Sequence, residues 1–65
     1  MRKEETELRM VQRHVRRGAI GVAMQIQLVA KLRASGRPTE LAEQLLTTFE
    51  ESQRQHVAHL MRLQG

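Results

Sequence analysis

The sequence predicts an all-α protein, an antiparallel two-helix hairpin formed by a single domain that spans residues 1–65. Two long runs of helix-favouring residues are separated by one strong break at residues 32–40, which contains Gly36 and Pro38. Apolar residues recur every three or four positions in both runs, as they do on one face of a helix. The chain has one Phe and neither Trp nor Tyr, so its core must be built from aliphatic side chains, which suit helix packing.

The size of the chain predicts that the hairpin does not fold alone. A chain of 65 residues buries only about 60% of its unfolded surface on folding. The absence of Cys removes disulfides and thiolate metal sites as supports, which leaves oligomerisation. We therefore expect a homodimer in which two hairpins form a four-helix bundle.

Helix 1 is predicted over about residues 4–35. The acidic residues Glu4, Glu5 and Glu7 favour a helix N-terminus, and Thr6 can cap it. One apolar stripe follows at spacings of three and four residues and is expected to form the core face: Leu8, Val11, Val15, Ala19, Val22, Ile26 and Val29. Gly18 and Gly21 are costly in a helix interior, but together with the neighbouring alanines they allow another helix to approach closely.

A surface that is both basic and apolar is expected on the opposite side of helix 1. Eight basic and three acidic residues lie within residues 1–36, whereas three basic and four acidic residues lie within residues 37–65. Ile20 and Met24 fall almost opposite the apolar stripe at 100° per residue, and a second interface is their simplest use. The predicted interaction surface consists of Arg9, Arg13, Arg16, Arg17, Ile20 and Met24.

The turn is predicted at residues 36–38, and helix 2 is predicted over about residues 39–63. Gly36 can adopt the left-handed conformation that closes a helix, and Pro38 can occupy the first turn of the next helix. Two polar residues, Gln53 and His56, interrupt the apolar face of helix 2. The complete stripe comprises Ala42, Leu45, Leu46, Phe49, Gln53, His56, Leu60 and Leu63.

The fold-back of the chain is expected to gather all three histidines at one end of the hairpin. It places His56 opposite Gly18 and His59 level with His14. Three imidazoles form a candidate metal site, but four arginines crowd the same end and would repel a cation, so we expect neither a metal nor a cofactor. The expected packing residues between the helices are Gly18, Phe49 and His56, with the ring of His56 in the space left by the glycine.

The turn and the first half of helix 2 carry a resemblance in the run SGRPTELAEQLLTTFEE, residues 35–51. This run resembles one in a group of short, uncharacterised bacterial helical-hairpin proteins, and the resemblance extends over residues 14–63. The group has no established activity, so the resemblance implies a bacterial helical hairpin and no particular chemistry. Residues 18–21 and Met24 depart from the pattern of the group, which has more charged residues there.

The sequence favours a small non-enzymatic interaction or regulatory protein. It has no Cys nucleophile and no Asp, and the adjacent Glu50 and Glu51 diverge on a helix, so they make a poor acid and base pair. The longest apolar stretch, residues 19–24, is too short to span a membrane, and a cytoplasmic location is expected. The alternative is weak RNA or DNA binding by the arginines of helix 1, without an aromatic side chain nearby to stack on bases.

Overall fold

The computed structural model describes residues 5–65, which form two helices, α1 (Glu7–Ala34) and α2 (Glu40–Gln64). The helices are antiparallel and pack against each other, and residues 5–65 contain no strand. The prediction of an all-α two-helix hairpin is confirmed. The hairpin measures 52 × 27 × 13 Å, so it is one layer that is two helices wide and one helix thick. Glu4, which the sequence places at the start of helix 1, lies outside the described residues.

The start of α1 has the side-chain cap that the sequence predicts. Thr6 is the N-cap residue, and its Oγ1 accepts a hydrogen bond from the backbone N–H of Arg9 at 3.1 Å. This bond satisfies one of the four donors that a helix N-terminus leaves without a partner in the helix. Glu7 in the first turn, and Lys31 and Arg33 in the last turn, have the charges that the helix dipole favours at each end.

The end of α1 is closed by Gly36, whose φ of +72° lies in the left-handed region. The backbone N–H of Arg37 donates to the carbonyl oxygen of Leu32 at 2.9 Å, and that of Gly36 donates to Arg33 at 3.1 Å. These two bonds form a Schellman motif, which satisfies carbonyl groups that the last turn would otherwise leave free. The prediction that Gly36 takes the left-handed conformation is confirmed.

Pro38 lies in the link between the helices, within the predicted turn at residues 36–38, and α2 begins at Glu40, one residue after the predicted start. Thr39 is the N-cap residue, and its Oγ1 donates to Glu43 Oε2 at 2.9 Å. The acidic residues Glu40 and Glu43 then occupy the first turn, where the helix dipole favours them. Glu43 also binds Arg33 of α1, with 3.1 Å between Oε1 and Nη2, so this carboxylate connects the two helices beside the turn.

The interior of the hairpin is small. Among residues 5–65, only Val11, Gln25 and Val29 are buried, with 1%, 7% and 7% of their surface exposed. By contrast, ten large apolar side chains in this part of the chain are at least 37% exposed: Leu8, Ile20, Met24, Ile26, Leu28, Leu41, Leu45, Val57, Met61 and Leu63. The hairpin therefore keeps most of its aliphatic surface in water.

α2 covers only one half of the apolar stripe of α1. Val11 and Val29 are buried, whereas Leu8 and Ile26 of the same stripe are 37% and 49% exposed. The cause is the direction from which α2 approaches, since it lies over the side of α1 that carries Gly18. The predicted core face is thus rotated about the axis of α1 away from the observed contact face. The half of the apolar stripe that α2 does not cover borders an open side of the layer.

The two helices are paired about one helical turn away from the predicted pairing. His56 lies against His14, with 5.1 Å between the ring centroids, and not against Gly18. His59 reaches Glu7, with 3.1 Å between Nε2 and Oε2, and is not level with His14. The link between the helices is not helical, and a residue there can advance by about 3.3 Å where a helical residue advances by 1.5 Å. A count of residues from the turn that assigns every residue the same rise therefore gives the wrong pairing between the helices.

Candidate functional site

The single layer of two helices has two open sides, and a groove runs between the helices on each. We call the first the alanine groove; it is lined by Ala19, Val22, Ala23, Ile26, Val29, Ala30 and Arg33 of α1 and by Glu43, Leu46, Thr47, Glu50, Gln53 and Arg54 of α2. We call the second the histidine groove; it is lined by His14, Arg17, Gly18, Gly21, Phe49, Ser52, Gln53 and His56. At 100° per residue, Ala19 and Gly21 fall on opposite sides of the contact face at Gly18, so the two grooves lie on opposite sides of the layer.

The α1 side of the alanine groove is apolar over most of its length. Ala19, Ala23 and Ala30 are exposed there, and small side chains leave the backbone of α1 open to close approach. Leu8 and Val15 continue the same side toward the N-terminus at helical spacing. This side is the uncovered half of the apolar stripe that the sequence predicts for helix 1.

The α2 side of the alanine groove carries charges of both signs. Glu50 and Arg54 lie one turn apart at the middle of α2, and both are exposed. The ion pairs found among residues 5–65 join Arg13 to Glu5 and Arg33 to Glu43, and Glu7 is in contact with His59, so none of these contacts involves Glu50 or Arg54. Besides the Arg33–Glu43 pair, the groove therefore presents the carboxylate of Glu50 and the guanidinium group of Arg54 to a partner.

The histidine groove contains the three residues that the sequence predicts as packing residues between the helices, Gly18, Phe49 and His56. Phe49 and His56 are half-buried. The ring of His56 is tilted by 51° against that of His14, and its Nε2 lies 3.4 Å from Ser52 Oγ. Both helices thus contribute to a polar end of this groove.

The three histidines do not converge on one point. His14 and His56 pack together, but His59 is turned toward Glu7, so the weak candidate cluster His14, His56 and His59 is divided. Over the part of the chain that the structure describes, no group of three or more His, Asp or Glu side chains is placed to hold a metal ion.

Gly18 allows a hydrogen bond between the helices that the sequence analysis does not identify. Gln53 of α2 lies across Gly18, and its Nε2 donates to the carbonyl oxygen of Val15 at 2.8 Å. A Cβ atom on Gly18 would overlap Gln53 Oε1 and would lie 2.8 Å from Gln53 Cδ. Gly21, one turn further along α1, has nothing within 4 Å of the same position.

We expect Gly18→Ala and Gly21→Ala to change stability in opposite directions. Each removes a helical glycine, which is worth about 1 kcal/mol in favour of Ala. Gly21→Ala meets open space and should raise the free energy of unfolding by about 0.5–1 kcal/mol. Gly18→Ala must displace Gln53 and break its bond to Val15, so it should lie at least ~1 kcal/mol below Gly21→Ala. Urea unfolding measures both variants, and equal stabilities would show that the Gln53 bond contributes nothing.

Gln25 is a second polar connection between the helices that sequence reasoning missed. It is 7% exposed, and its Nε2 donates to the carbonyl oxygen of Ala42 at 3.0 Å. The available signal was its position, since Gln25 stands four residues before Val29 and three after Val22, at helical spacing on the core side.

The predicted basic and apolar surface lies on the side of α1 that faces away from α2. Ile20 and Met24 are 59% and 66% exposed. Arg13 is different from the rest of the surface, because it is half-buried and bound to Glu5, with 2.8 Å between Nη2 and Oε1. The other members of the surface are exposed: Arg9, Arg16, Ile20 and Met24 lie on this side, and Arg17 lies at its edge, where it also lines the histidine groove.

The fold and its surfaces define a small helical hairpin with an open groove on each side of a single layer. Comparisons with protein-family models, with curated proteins and with solved structures found no match. The resemblance to short bacterial hairpin proteins therefore stays a prediction. In residues 5–65, neither helix has an apolar stretch that is long enough to cross a bilayer.

Proposed function

We propose that this chain is a self-associating helical hairpin, a small non-enzymatic interaction protein that acts as a homodimer with a four-helix bundle. The observation that carries this proposal is the uncovered half of the apolar stripe of α1. Leu8 and Ile26 belong to that stripe and are 37% and 49% exposed, while Val11 and Val29 are the only apolar residues buried within residues 5–65. A second hairpin supplies the layer that is needed to cover one side of the first.

The energetic argument for association is the small interior of one hairpin. Burial of one Val side chain contributes roughly 1.5–3 kcal/mol, whereas fixing the backbone of each residue costs about 1–2 kcal/mol. The two buried valines supply only a small part of what offsets the ordering of two helices of 28 and 25 residues. In a four-helix bundle, the exposed aliphatic residues on one side of each hairpin are also removed from water. This additional burial makes the free energy of folding more favourable.

The exposed surface on the back of α1 supports a regulatory contact with a further protein. Ile20 and Met24 give it an apolar centre, and Arg9, Arg16 and Arg17 give it positive charge. An acidic protein surface with an apolar centre is complementary to it. The second candidate is RNA or DNA, which the exposure of these arginines favours; such binding would be limited to phosphate contacts and would weaken strongly with salt.

Sedimentation velocity tests the self-association. From micromolar to millimolar chain concentration, we expect a species of two chains, and a melting temperature that rises with concentration because only the folded chain associates. A chain that stays monomeric at millimolar concentration would overturn the proposal.

The same experiment with a labelled RNA or DNA oligonucleotide at low salt tests the second candidate. Co-sedimentation of the oligonucleotide that is lost in Arg16/Arg17→Gln and kept in Arg62→Gln would support nucleic-acid binding. An oligonucleotide that sediments as the free species would rule it out.

A further inference from the structure

We propose that the two copies meet through their alanine grooves, with α1 of one copy antiparallel to α1 of the second copy and with Glu50 of each copy bound to Arg54 of the other. This inference rests on the proposed self-association and adds to it the face, the direction and the residue pairs. The histidine groove and the back of α1 then stay open in the dimer.

The charges on the two sides of the layer decide which groove is used. In the alanine groove, the α1 side is uncharged from Ala19 to Ala30, and the middle of α2 carries Glu50 and Arg54, one charge of each sign. On the other side, Arg17 is the charged residue among those that line the histidine groove, and it is positive. A two-fold interface joins a surface to itself, so a surface with charges of both signs can attract its own copy, whereas a positive one repels it.

The alanine groove is large enough for a stable contact. Residues 8–30 of α1 span about 33 Å at 1.5 Å per residue. Two helices side by side are roughly 18 Å wide, which gives about 600 Å² on each copy. The total lies above the ~1,000 Å² that a specific interface needs.

A two-fold axis at Ala19 pairs two large apolar side chains of α1 with alanines, and it places Ile26 opposite Gln12 and Val22 opposite Arg16. A residue on the axis faces itself in the second copy, and residues at equal distances on either side of the axis face each other. With Ala19 on the axis, Val15 faces Ala23 and Leu8 faces Ala30. Alternation of large and small side chains across facing positions fills the space between two helices without voids.

The same axis places Glu50 beside Arg54 of the second copy. Gly18 of α1 lies against Gln53 of α2, so Ala19 is level with Ser52, midway between Glu50 and Arg54. An axis that passes Ala19 on α1 therefore passes the midpoint of these two charges on α2. Two Glu50–Arg54 pairs form across the interface, one on each side of the axis. One axis therefore accounts for two separate sets of contacts, the apolar pairs on α1 and the Glu50–Arg54 pairs on α2.

Charge-reversal variants test the ion pairs. Glu50→Arg and Arg54→Glu each place like charges in both pairs, and either variant alone should weaken the dimer by about tenfold or more. A mixture of the two variants should form a heterodimer with the wild-type affinity, because both of its pairs again join opposite charges. Glu51→Arg makes the same change in charge on the outer side of α2, and it should leave the dissociation constant within about twofold. A mixture that stays as weak as the single variants would contradict the pairing.

Single-cysteine variants test the axis, since the wild-type chain contains no Cys. Ala19→Cys should form a disulfide between two copies under mild oxidation, because residues that face each other on an axis of close-packed helices can bring their Cα atoms within about 4.4–6.8 Å. Met24→Cys lies on the other side of α1 and should stay reduced. Its exposure in the hairpin is 66%, so low accessibility would not explain that result.

The two proposals fail in different ways. A monomeric wild-type chain overturns the self-association and this inference together. A wild-type dimer that forms disulfides through Met24→Cys and not through Ala19→Cys keeps the self-association and overturns the use of the alanine groove. A dimer whose affinity Glu50→Arg leaves unchanged overturns the ion pairs.

Discussion

Ile26→Asp is expected to dissociate the proposed homodimer and to unfold most of the chain at micromolar concentration, whereas Ile20→Asp is expected to leave both association and folding nearly unchanged. The two isoleucines are 49% and 59% exposed in one hairpin, so an isolated hairpin would tolerate both substitutions about equally. Ile26 lines the alanine groove, and Ile20 lies on the back of α1. A greater loss of association and folding in Ile26→Asp than in Ile20→Asp would therefore show that a second copy covers the alanine groove.

The size of the effect follows from burying two carboxylates, one from each copy, in an apolar interface. An ionised side chain without a partner costs several kcal/mol when it leaves water. A loss of about 3 kcal/mol corresponds to a dissociation constant that rises by more than a hundredfold. Circular dichroism and sedimentation over the same range of concentrations measure folding and association together. Equal behaviour of Ile26→Asp and Ile20→Asp would show that the alanine groove stays open.

Gln25→Glu is expected to destabilise the fold by about 2–4 kcal/mol at neutral pH, although it changes only one amide group into a carboxylate. Gln25 is 7% exposed and donates its Nε2 hydrogen to the carbonyl oxygen of Ala42 at 3.0 Å. A carboxylate has no hydrogen to donate there, so two oxygen atoms would face each other in a buried position. Gln25→Met is the matched control, since it also loses the hydrogen bond to Ala42 and keeps the length of the side chain but introduces no charge; it should cost less than about 1.5 kcal/mol.

The loss of stability caused by Gln25→Glu should increase as the pH rises. Burial and the facing carbonyl oxygen raise the pKa of the introduced carboxyl group in the folded state above its unfolded value of about 4.3. Below that unfolded value the group is protonated in both states and can donate to Ala42, so the variant should approach the wild type. As pH rises from about 4.3 through the raised pKa, the stability of the variant should fall relative to the wild type. Urea unfolding of both chains over this range checks the result, and a constant difference between them would contradict it.

The features of the fold that sequence predicted are those fixed by local chemistry. Thr6 caps α1, and Gly36 closes it, because both act on backbone groups within a few residues of themselves. The length of the apolar pattern predicts two helices, and the break between them predicts the fold-back. Each of these inferences needs only one segment of the chain.

The features that sequence did not predict depend on how the two helices meet. The apolar stripe of α1 is wide enough that α2 can lie over either half of it. The choice is made by Gln53, which fits across Gly18, and by Gln25, which reaches Ala42. Such bonds depend on the rotation and the axial offset of the helices together, and neither quantity can be read from the spacing of residues along one helix.

The positions of exposed residues around α1 were predicted better than the interior, for a physical reason. The position of an exposed residue on a helix follows from 100° per residue alone, so Arg9, Arg16, Ile20 and Met24 share one side as expected. Arg13 is the exception, because its contact with Glu5 depends on the course of the chain before α1. The offset between the helices likewise separated His59 from the other two histidines.

We expect the Schellman turn at Gly36 also to set the order in which the hairpin forms. Its hydrogen bonds join residues no more than five positions apart, such as Arg37 and Leu32, so they close with little loss of chain entropy. The bond between His59 and Glu7 joins residues 52 positions apart at the other end of the layer. Contacts therefore accumulate from the turn outward, each one shortening the loop that the next must close. Unfolding is expected to follow the reverse order, so the end of the hairpin that carries the histidines should open first.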